Sequence, residues 1–250
     1  MMIRQDVNDL LTQTGRGTPC GELMRRYWQP AALSEELPLD KPLAVQLFGE
    51  ELILFRDGAG QPALIGRYCA HQGVDMIYGC VEPDGLRCMY HGWLFDNRGM
   101  VVLRGDWLPE KERRWNVGQP AYPVVESGGI IFAFLGNGEL PELPAAQFFA
   151  KPTADWALAK VARGENYLKT LSQEPEPSPH SVCFVTPNIL MRQSFSIASP
   201  SWLSWYVPAD DSSHVEFNLS ILGDLPFKGV PHASLRQSLL DAAATTRVEQ

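Results

Sequence analysis

The stretch that decides how the chain folds is residues 69–92, CAHQGVDMIYGCVEPDGLRCMYHG. A cysteine–histidine pair stands at each end of it. Cys69 and His71 form a Cys-x-His pair, and Cys88 and His91 form a Cys-x-x-His pair after sixteen intervening residues. Glycines follow each pair and lie between them, where they supply tight turns. The pattern predicts two loops that clasp one metal centre from opposite sides.

The residue types indicate which metal centre this is. Thiolates donate strongly to ferric iron, whereas neutral imidazoles leave less negative charge on a second iron and raise its reduction potential. Two Cys and two His are the ligands of a Rieske [2Fe–2S] cluster, in which Cys holds one iron and His the other. The sequence therefore predicts an electron carrier, in which the cluster ligands are Cys69, His71, Cys88 and His91. Structural zinc is the alternative, but zinc sites usually group Cys with Cys and His with His.

The residues beside the second pair are predicted to complete the site. Tyr90 is placed to donate a hydroxyl hydrogen bond to a cluster sulfur or a cysteine. Trp93 and Phe95 are expected to cover the cluster and limit the access of water.

Composition narrows the class of protein. With 250 residues, 45% of them hydrophobic, the chain fits two small domains. A formal charge of −8 argues against a nucleic-acid partner. No apolar leader is visible, and the longest apolar run, Ile130–Leu135, is too short to span a membrane, so a soluble, cytoplasmic protein is predicted. The remaining cysteines are expected to be buried thiols outside any disulfide: Cys20, Cys80 and Cys183.

Short strands separated by glycine turns dominate the pattern after an N-terminal helix at 17–28, which Thr18 caps. The first group of strands is predicted at 44–48, 51–55, 62–65, 94–95, 100–103, 122–125 and 130–135. Later strands are predicted at 156–161, 190–197, 202–207 and 215–222, with helices at 166–171 and 235–245. The predicted domains are an N-terminal arm at 1–42, a cluster domain at 43–140 and a second domain at 141–250.

Three stretches resemble a known family: GTPCGELMRRYW at 17–28, the two cluster loops, and AYPV at 121–124. They are similar to the terminal oxygenase (alpha) subunits of Rieske non-haem iron oxygenases, in particular the phthalate dioxygenase-like branch. The resemblance covers roughly the first 145 residues and departs at Gln72, where the family often has Arg. It implies a mainly β protein, in which the Rieske antiparallel β domain precedes an α+β domain with a truncated helix-grip-like antiparallel sheet and helix.

The resemblance also implies a mononuclear Fe(II) held by two His and one carboxylate. The family's signal is Asn-Tyr-Leu followed by Asp-x-x-His-x-x-x-x-His, and Asn166-Tyr167-Leu168 matches its opening. His180 is the candidate iron ligand, one residue later than the pattern requires, and Glu176 is the carboxylate that would link cluster and iron. Val185 stands where the second histidine is expected. Alternating prolines at 175, 177 and 179 exclude a helix there.

Two later histidines, His214 and His232, could join such a site with an acid such as Asp241, although their spacing does not favour it. His214 follows Asp210-Asp211, so a solvated position in a turn is expected.

The resemblance implies an oxygenase component that uses O2 to hydroxylate or demethylate a small aromatic compound. Its partners would be an NAD(P)H-dependent reductase or a ferredoxin, and further oxygenase subunits in a homo- or hetero-oligomer. The alternative is a non-catalytic Rieske electron-transfer subunit that lacks mononuclear iron and partners a catalytic subunit. Val185 and the shortness of the second domain favour that alternative.

Overall fold

The computed structural model describes residues 9–103, 117–143, 156–173, 182–186, 188–192 and 201–221. The chain divides into two compact units. We call residues 28–140 the cluster unit, and residues 1–27 with 141–250 the sheet unit. Antiparallel strands dominate both, which confirms the mainly β fold. Within the described residues, no helix is both long enough and apolar enough to cross a membrane.

The described residues of the cluster unit form three small antiparallel sheets. Its described strands are β1 (Gln29–Leu33), β2 (Leu43–Leu47), β3 (Glu50–Arg56), β4 (Pro62–Gly66), β5 (Cys80–Glu82), β6 (Gly85–Arg87), β7 (Leu94–Phe95), β8 (Val101–Leu103), β9 (Ala121–Tyr122), β10 (Val124–Ser127) and β11 (Ile130–Ala133). The strand orders are β1-β11-β10, β2-β3-β4-β9 and β5-β6-β7-β8. Short 3-10 helices occupy Ser34–Glu36 and Met76–Tyr78.

The turn of the β2–β3 hairpin lies one residue earlier than the sequence predicts. The sequence predicts a turn at Gly49-Glu50, but Leu47 pairs with Glu50, so the two turn residues are Phe48 and Gly49. Both have positive φ, 53° and 78°, as a two-residue hairpin turn requires. Phe48 adopts this unusual conformation with its ring 1% exposed, and burial of the ring offsets the backbone strain.

Arg56, at the end of β3, ties two sheets together. Its Nη1 and Nη2 donate to the two carboxylate oxygens of Glu126 on β10 at 2.8 and 2.9 Å. Its Nε donates to the Leu37 carbonyl at 3.1 Å, and Nη1 also donates to the Gly60 carbonyl. This bidentate contact holds the pKa of Glu126 below its ordinary value, although partial burial of the carboxyl acts the other way.

The apolar core of the cluster unit reaches the base of both metal-binding loops. Its members are Ile53, Phe55, Ala63, Ile65, Cys69, Met76, Leu86, Cys88, Trp93 and Phe95. Since the two cysteines of the sequence motif belong to this core, the packing that stabilises the sheets also positions the thiols.

The sheet unit contains α1 (Pro19–Met24), β12 (Trp156–Arg163), α2 (Tyr167–Gln173), β13 (Val182–Thr186), β14 (Ile189–Arg192), β15 (Ser201–Pro208) and β16 (His214–Ile221). The five strands form one antiparallel sheet in the order β12-β16-β15-β14-β13. The predicted N-terminal helix is shorter than expected, although Thr18 caps it by accepting from the Gly21 amide. The predicted helix at 235–245 lies outside the described residues.

The N-terminal segment is bound to the start of α2. The Tyr167 hydroxyl donates to the Leu11 carbonyl at 2.7 Å, and its oxygen lies 3.2 Å from the Cys20 sulfur. Asn166 Nδ2 donates to the Thr12 carbonyl at 3.0 Å. The Asn-Tyr pair of the sequence motif therefore anchors the chain's N-terminal segment.

Gly85 begins β6, and replacing it with alanine should destabilise the cluster unit strongly. Its φ is +145°, and an added Cβ would lie 1.9 Å from the Phe95 carbonyl oxygen. We expect Gly85→Ala to lower the free energy of unfolding by about 3 kcal/mol or more in urea denaturation. Gly49→Ala is the matched control, since its φ is also positive but its Cβ would meet open space; about 1 kcal/mol is expected. Equal losses would show that the close contact with Phe95 is unimportant.

The Arg56–Glu126 pair predicts a specific pH dependence of stability. A carboxyl whose pKa is lowered on folding stabilises the protein above its ordinary value of 4.5 and loses that effect as the pH falls through the folded-state pKa. Glu126→Gln should therefore cost about 2 kcal/mol at pH 7, and the difference from wild type should shrink as the pH falls below 4.5. Urea midpoints between pH 7 and pH 3 measure this. Exposed Glu139→Gln is the control, and a difference independent of pH would contradict the prediction.

Candidate metal centre

The two cysteine–histidine loops share one backbone pattern. In the first loop, residues 69–74, the Cys69 amide donates to the Val74 carbonyl at 2.9 Å, and the Gly73 amide donates to the Cys69 carbonyl at 2.8 Å. Gly73 has a φ of 70°, which favours glycine strongly. Its Cβ would meet open space, so the backbone conformation alone calls for glycine.

The second loop, residues 88–93, repeats this arrangement. The Cys88 amide donates to the Trp93 carbonyl at 2.8 Å, and the Gly92 amide donates to the Cys88 carbonyl at 3.0 Å. Gly92 also has a φ of 70°. Each loop therefore presents a cysteine at its first position, and each offers one histidine before its glycine.

An arginine one or two residues before each loop helps to hold it in position. Arg67 binds the Asp75 carboxylate, with Nη2 2.7 Å from Oδ2. Arg87 donates from Nη1 to the Gly92 carbonyl at 2.7 Å and also pairs with Glu82. Neither arginine was predicted to have a role, although both are visible in the sequence close to the motif cysteines.

In the structure, the two imidazoles lie next to each other, and so do the two thiols. The Nδ1 atoms of His71 and His91 lie 3.0 Å apart, although they come from different loops. The Cys69 and Cys88 thiols likewise interact with each other, and both residues are buried. Two imidazole nitrogens bound to one metal ion at about 2.1 Å would be separated by roughly 3.0–3.4 Å. An imidazole pair and a thiol pair fit a [2Fe–2S] cluster with unlike ligands on its two irons.

Burial shifts the pKa of the two ligands of the first loop, Cys69 and His71, in opposite directions. It raises the pKa of the Cys69 thiol to about 11, and the Cys88 thiol adds to this, while the backbone N–H groups of His71 and Gln72 act in the opposite direction. Burial and the His91 charge lower the pKa of His71. The thiolate is therefore stable here mainly beside a cation, and the imidazole is already neutral, as a metal ligand must be.

Aromatic rings pack against both imidazoles. The indole of Trp93 stacks on His71 with ring centroids 4.4 Å apart and planes 10° apart. The Tyr90 ring packs on His91 at 3.9 Å. Trp93 is only 6% exposed and covers one face of His71. Phe95 is fully buried, and its ring contacts the Trp93 indole rather than either imidazole, so it does not cover the ligands as expected. Tyr90 is 60% exposed and contacts the imidazole through its ring, so a hydrogen bond from its hydroxyl to sulfur stays a prediction.

Of the candidate residues for a second iron site, only His214 lies among the described residues. His180 and Glu176, together with His232 and Asp241, lie outside the described residues, and so does the side chain of Val185. Apart from the four cluster ligands, the described part of the chain contains no group of three or more His, Cys, Asp or Glu side chains arranged to hold a metal ion.

His214 contradicts the sequence prediction. It was expected in a solvated turn, but it begins β16 and is 1% exposed. Its Nδ1 donates to the Glu165 carbonyl at 2.7 Å, and its Nε2 lies 3.6 Å from Glu216, which also binds Arg163. The turn at 210–213 ends just before it, and strand pairing carries its ring into the interior of the sheet unit.

The prediction that the other cysteines are buried is confirmed for one of them and wrong for another. Cys20 is buried, as expected, but Cys80 is exposed on the edge strand β5. The side chain of Cys183 lies outside the described set.

Comparison with known protein families matches residues 27–110 to the Rieske [2Fe–2S] domain. The phthalate 4,5-dioxygenase oxygenase subunit of Pseudomonas putida is 39% identical over 99% of this chain and 55% of that protein. The phenoxybenzoate dioxygenase subunit alpha of Ectopseudomonas oleovorans is 48% identical over 54% of this chain and 33% of that protein. The chain thus spans about half the length, or less, of these curated relatives.

Solved structures show the same fold. The terminal oxygenase of carbazole 1,9a-dioxygenase from Novosphingobium sp. KA1 aligns with a TM-score of 0.70 at 18% identity, covering 97% of this chain and 84% of that one. A reduced complex between oxygenase and ferredoxin in carbazole 1,9a-dioxygenase aligns with a TM-score of 0.67 at 16% identity, covering 96% of this chain and 80% of that one.

Replacing a ligand should remove the cluster, whereas replacing an exposed cysteine nearby should not. We expect Cys88→Ser to lose both the labile sulfide and the paired iron, because serine cannot replace the buried thiolate. Cys80→Ser is the matched control, since Cys80 lies eight residues earlier and is exposed. Iron and sulfide analysis with electron paramagnetic resonance (EPR) of the reduced protein measures the outcome. A sulfide-free wild type that contains zinc would contradict the assignment.

Proposed function

Because the chain belongs to the terminal oxygenase subunits of Rieske non-haem iron oxygenases, we propose that it supports O2-dependent hydroxylation or demethylation of a small aromatic compound. The observation that carries this proposal is the sorted ligand set, with two thiols in one pair and two imidazole nitrogens 3.0 Å apart in the other. When bound, a [2Fe–2S] cluster there accepts and passes on one electron at a time.

The residues around the ligands suit this role. The thiols belong to the apolar core, and the Trp93 indole covers one imidazole, so bulk water is kept from most of the site. The imidazole edge is more open, because His71 and His91 are half-buried and Tyr90 beside them is exposed. An electron therefore has a short path to the surface on the imidazole side.

Similarity to catalytic subunits favours an oxygenase over a relay subunit without mononuclear iron. The 39% identity to the phthalate 4,5-dioxygenase subunit extends over 99% of the chain, well beyond the cluster unit. In this proposal, His180 is a ligand of the mononuclear iron, and Glu176 couples the iron to the cluster electronically.

We propose an electron-donating partner of the ferredoxin or NAD(P)H-dependent reductase class. Support comes from oxygenase–ferredoxin complexes among the structures of the same fold. Assembly with further oxygenase subunits, and a cytoplasmic location, belong to the same proposal. Cys80, an exposed thiol, is compatible with a reducing compartment.

Metal counting with substrate-dependent oxygen uptake tests the proposal. We expect about three iron atoms and two sulfides per chain, because a mononuclear iron adds to the cluster. We expect His180→Ala to lower the count to about two iron atoms while the reduced cluster keeps its EPR spectrum. Wild-type protein with two iron atoms, an intact cluster and no uptake with any aromatic substrate would overturn the proposal and favour the relay subunit.

A further inference from the structure

Trp93 contacts both cluster loops, one through its backbone and the other through its side chain. Its backbone carbonyl accepts the Cys88 amide at 2.8 Å and so closes the second loop. Its side chain leaves that loop and stacks on His71 of the first loop, with centroids 4.4 Å apart and planes 10° apart. One residue thus couples the backbone of one loop to the imidazole of the other.

The two imidazoles are supported unequally. His71 faces an indole that is 6% exposed and packed in the apolar core beside Phe95. His91 faces Tyr90, which precedes it in the chain, is 60% exposed and is tilted by 44°. A buried ring held on all sides restricts its stacking partner more than an exposed ring does.

We propose that Trp93 is a positioning residue that fixes the ring plane of His71, and so sets the electronic structure and retention of the [2Fe–2S] cluster. A planar stack allows the imidazole to slide slightly but opposes rotation out of the plane. Since imidazole orientation determines how the nitrogen lone pair meets the iron, the indole acts on the metal through His71. This inference rests on the cluster alone and holds whether or not the chain has a mononuclear iron.

Three variants separate positioning from general packing. Trp93→Leu removes the stack, Trp93→Phe retains a smaller aromatic face, and Phe95→Leu removes a neighbouring buried ring that is 6.3 Å from the indole. Each is compared with wild type by EPR of the reduced protein and by the rate at which a chelator removes the iron.

We expect Trp93→Leu to shift and broaden the EPR spectrum and to release iron about tenfold faster. Trp93→Phe should be intermediate in both measurements. Phe95→Leu should lower thermal stability but keep the wild-type spectrum, with release within about twofold of wild type. If Trp93→Leu fails to assemble the cluster, the EPR spectra and iron-release rates of Trp93→Phe and Phe95→Leu are compared instead, and they test the proposal by themselves.

Two results would overturn the proposal. One is a wild-type spectrum and release rate in Trp93→Leu, or in Trp93→Phe where that variant decides alone. The other is an equal change in Phe95→Leu, which would show that the indole acts only as part of the core.

Discussion

The site depends on a backbone loop that occurs twice in the chain. In each copy, a cysteine amide donates to the carbonyl five residues later, and a glycine closes the turn. This loop fixes both thiols at the edge of the apolar core and turns both histidines toward each other. With φ near 70° at Gly73 and Gly92, the chain can make this turn twice with little strain. The sorting of ligands into a thiol pair and an imidazole pair follows from two copies of one backbone shape facing each other.

Packing and charge reinforce this geometry. The core that holds β3, β4, β6 and β7 together includes the cysteines, so the thiols are held by the same contacts that stabilise the sheets. Burial makes a free thiolate unfavourable and the imidazole neutral, which prepares the set for iron. Arg67 and Arg87 hold the loops through carboxylate and carbonyl contacts at the edge of the core.

The fold class, and the approach of the four candidate ligands to one another, could be predicted because they depend on local signals: alternating strands, glycine turns and paired Cys and His residues. Other features depend on tertiary contacts that no local pattern reveals. The burial of His214 and the turn at Phe48 arise from strand register, and the exposure of Cys80 arises from its place on an edge strand. The stacking of Trp93 on His71 joins residues twenty-two positions apart, so the sequence indicated a cover but not which ligand it would contact.

We propose that two imidazoles and two thiolates, from Cys69, His71, Cys88 and His91, bind one [2Fe–2S] cluster. Pulsed EPR of the reduced protein, with histidine labelled with nitrogen-15, tests it most directly because it detects nitrogen bound to the paramagnetic iron. We expect strong couplings from two imidazole nitrogens, reduced to one in His91→Cys. A reduced cluster with no strong histidine coupling would contradict the claim, since it would mean that only sulfur holds the iron.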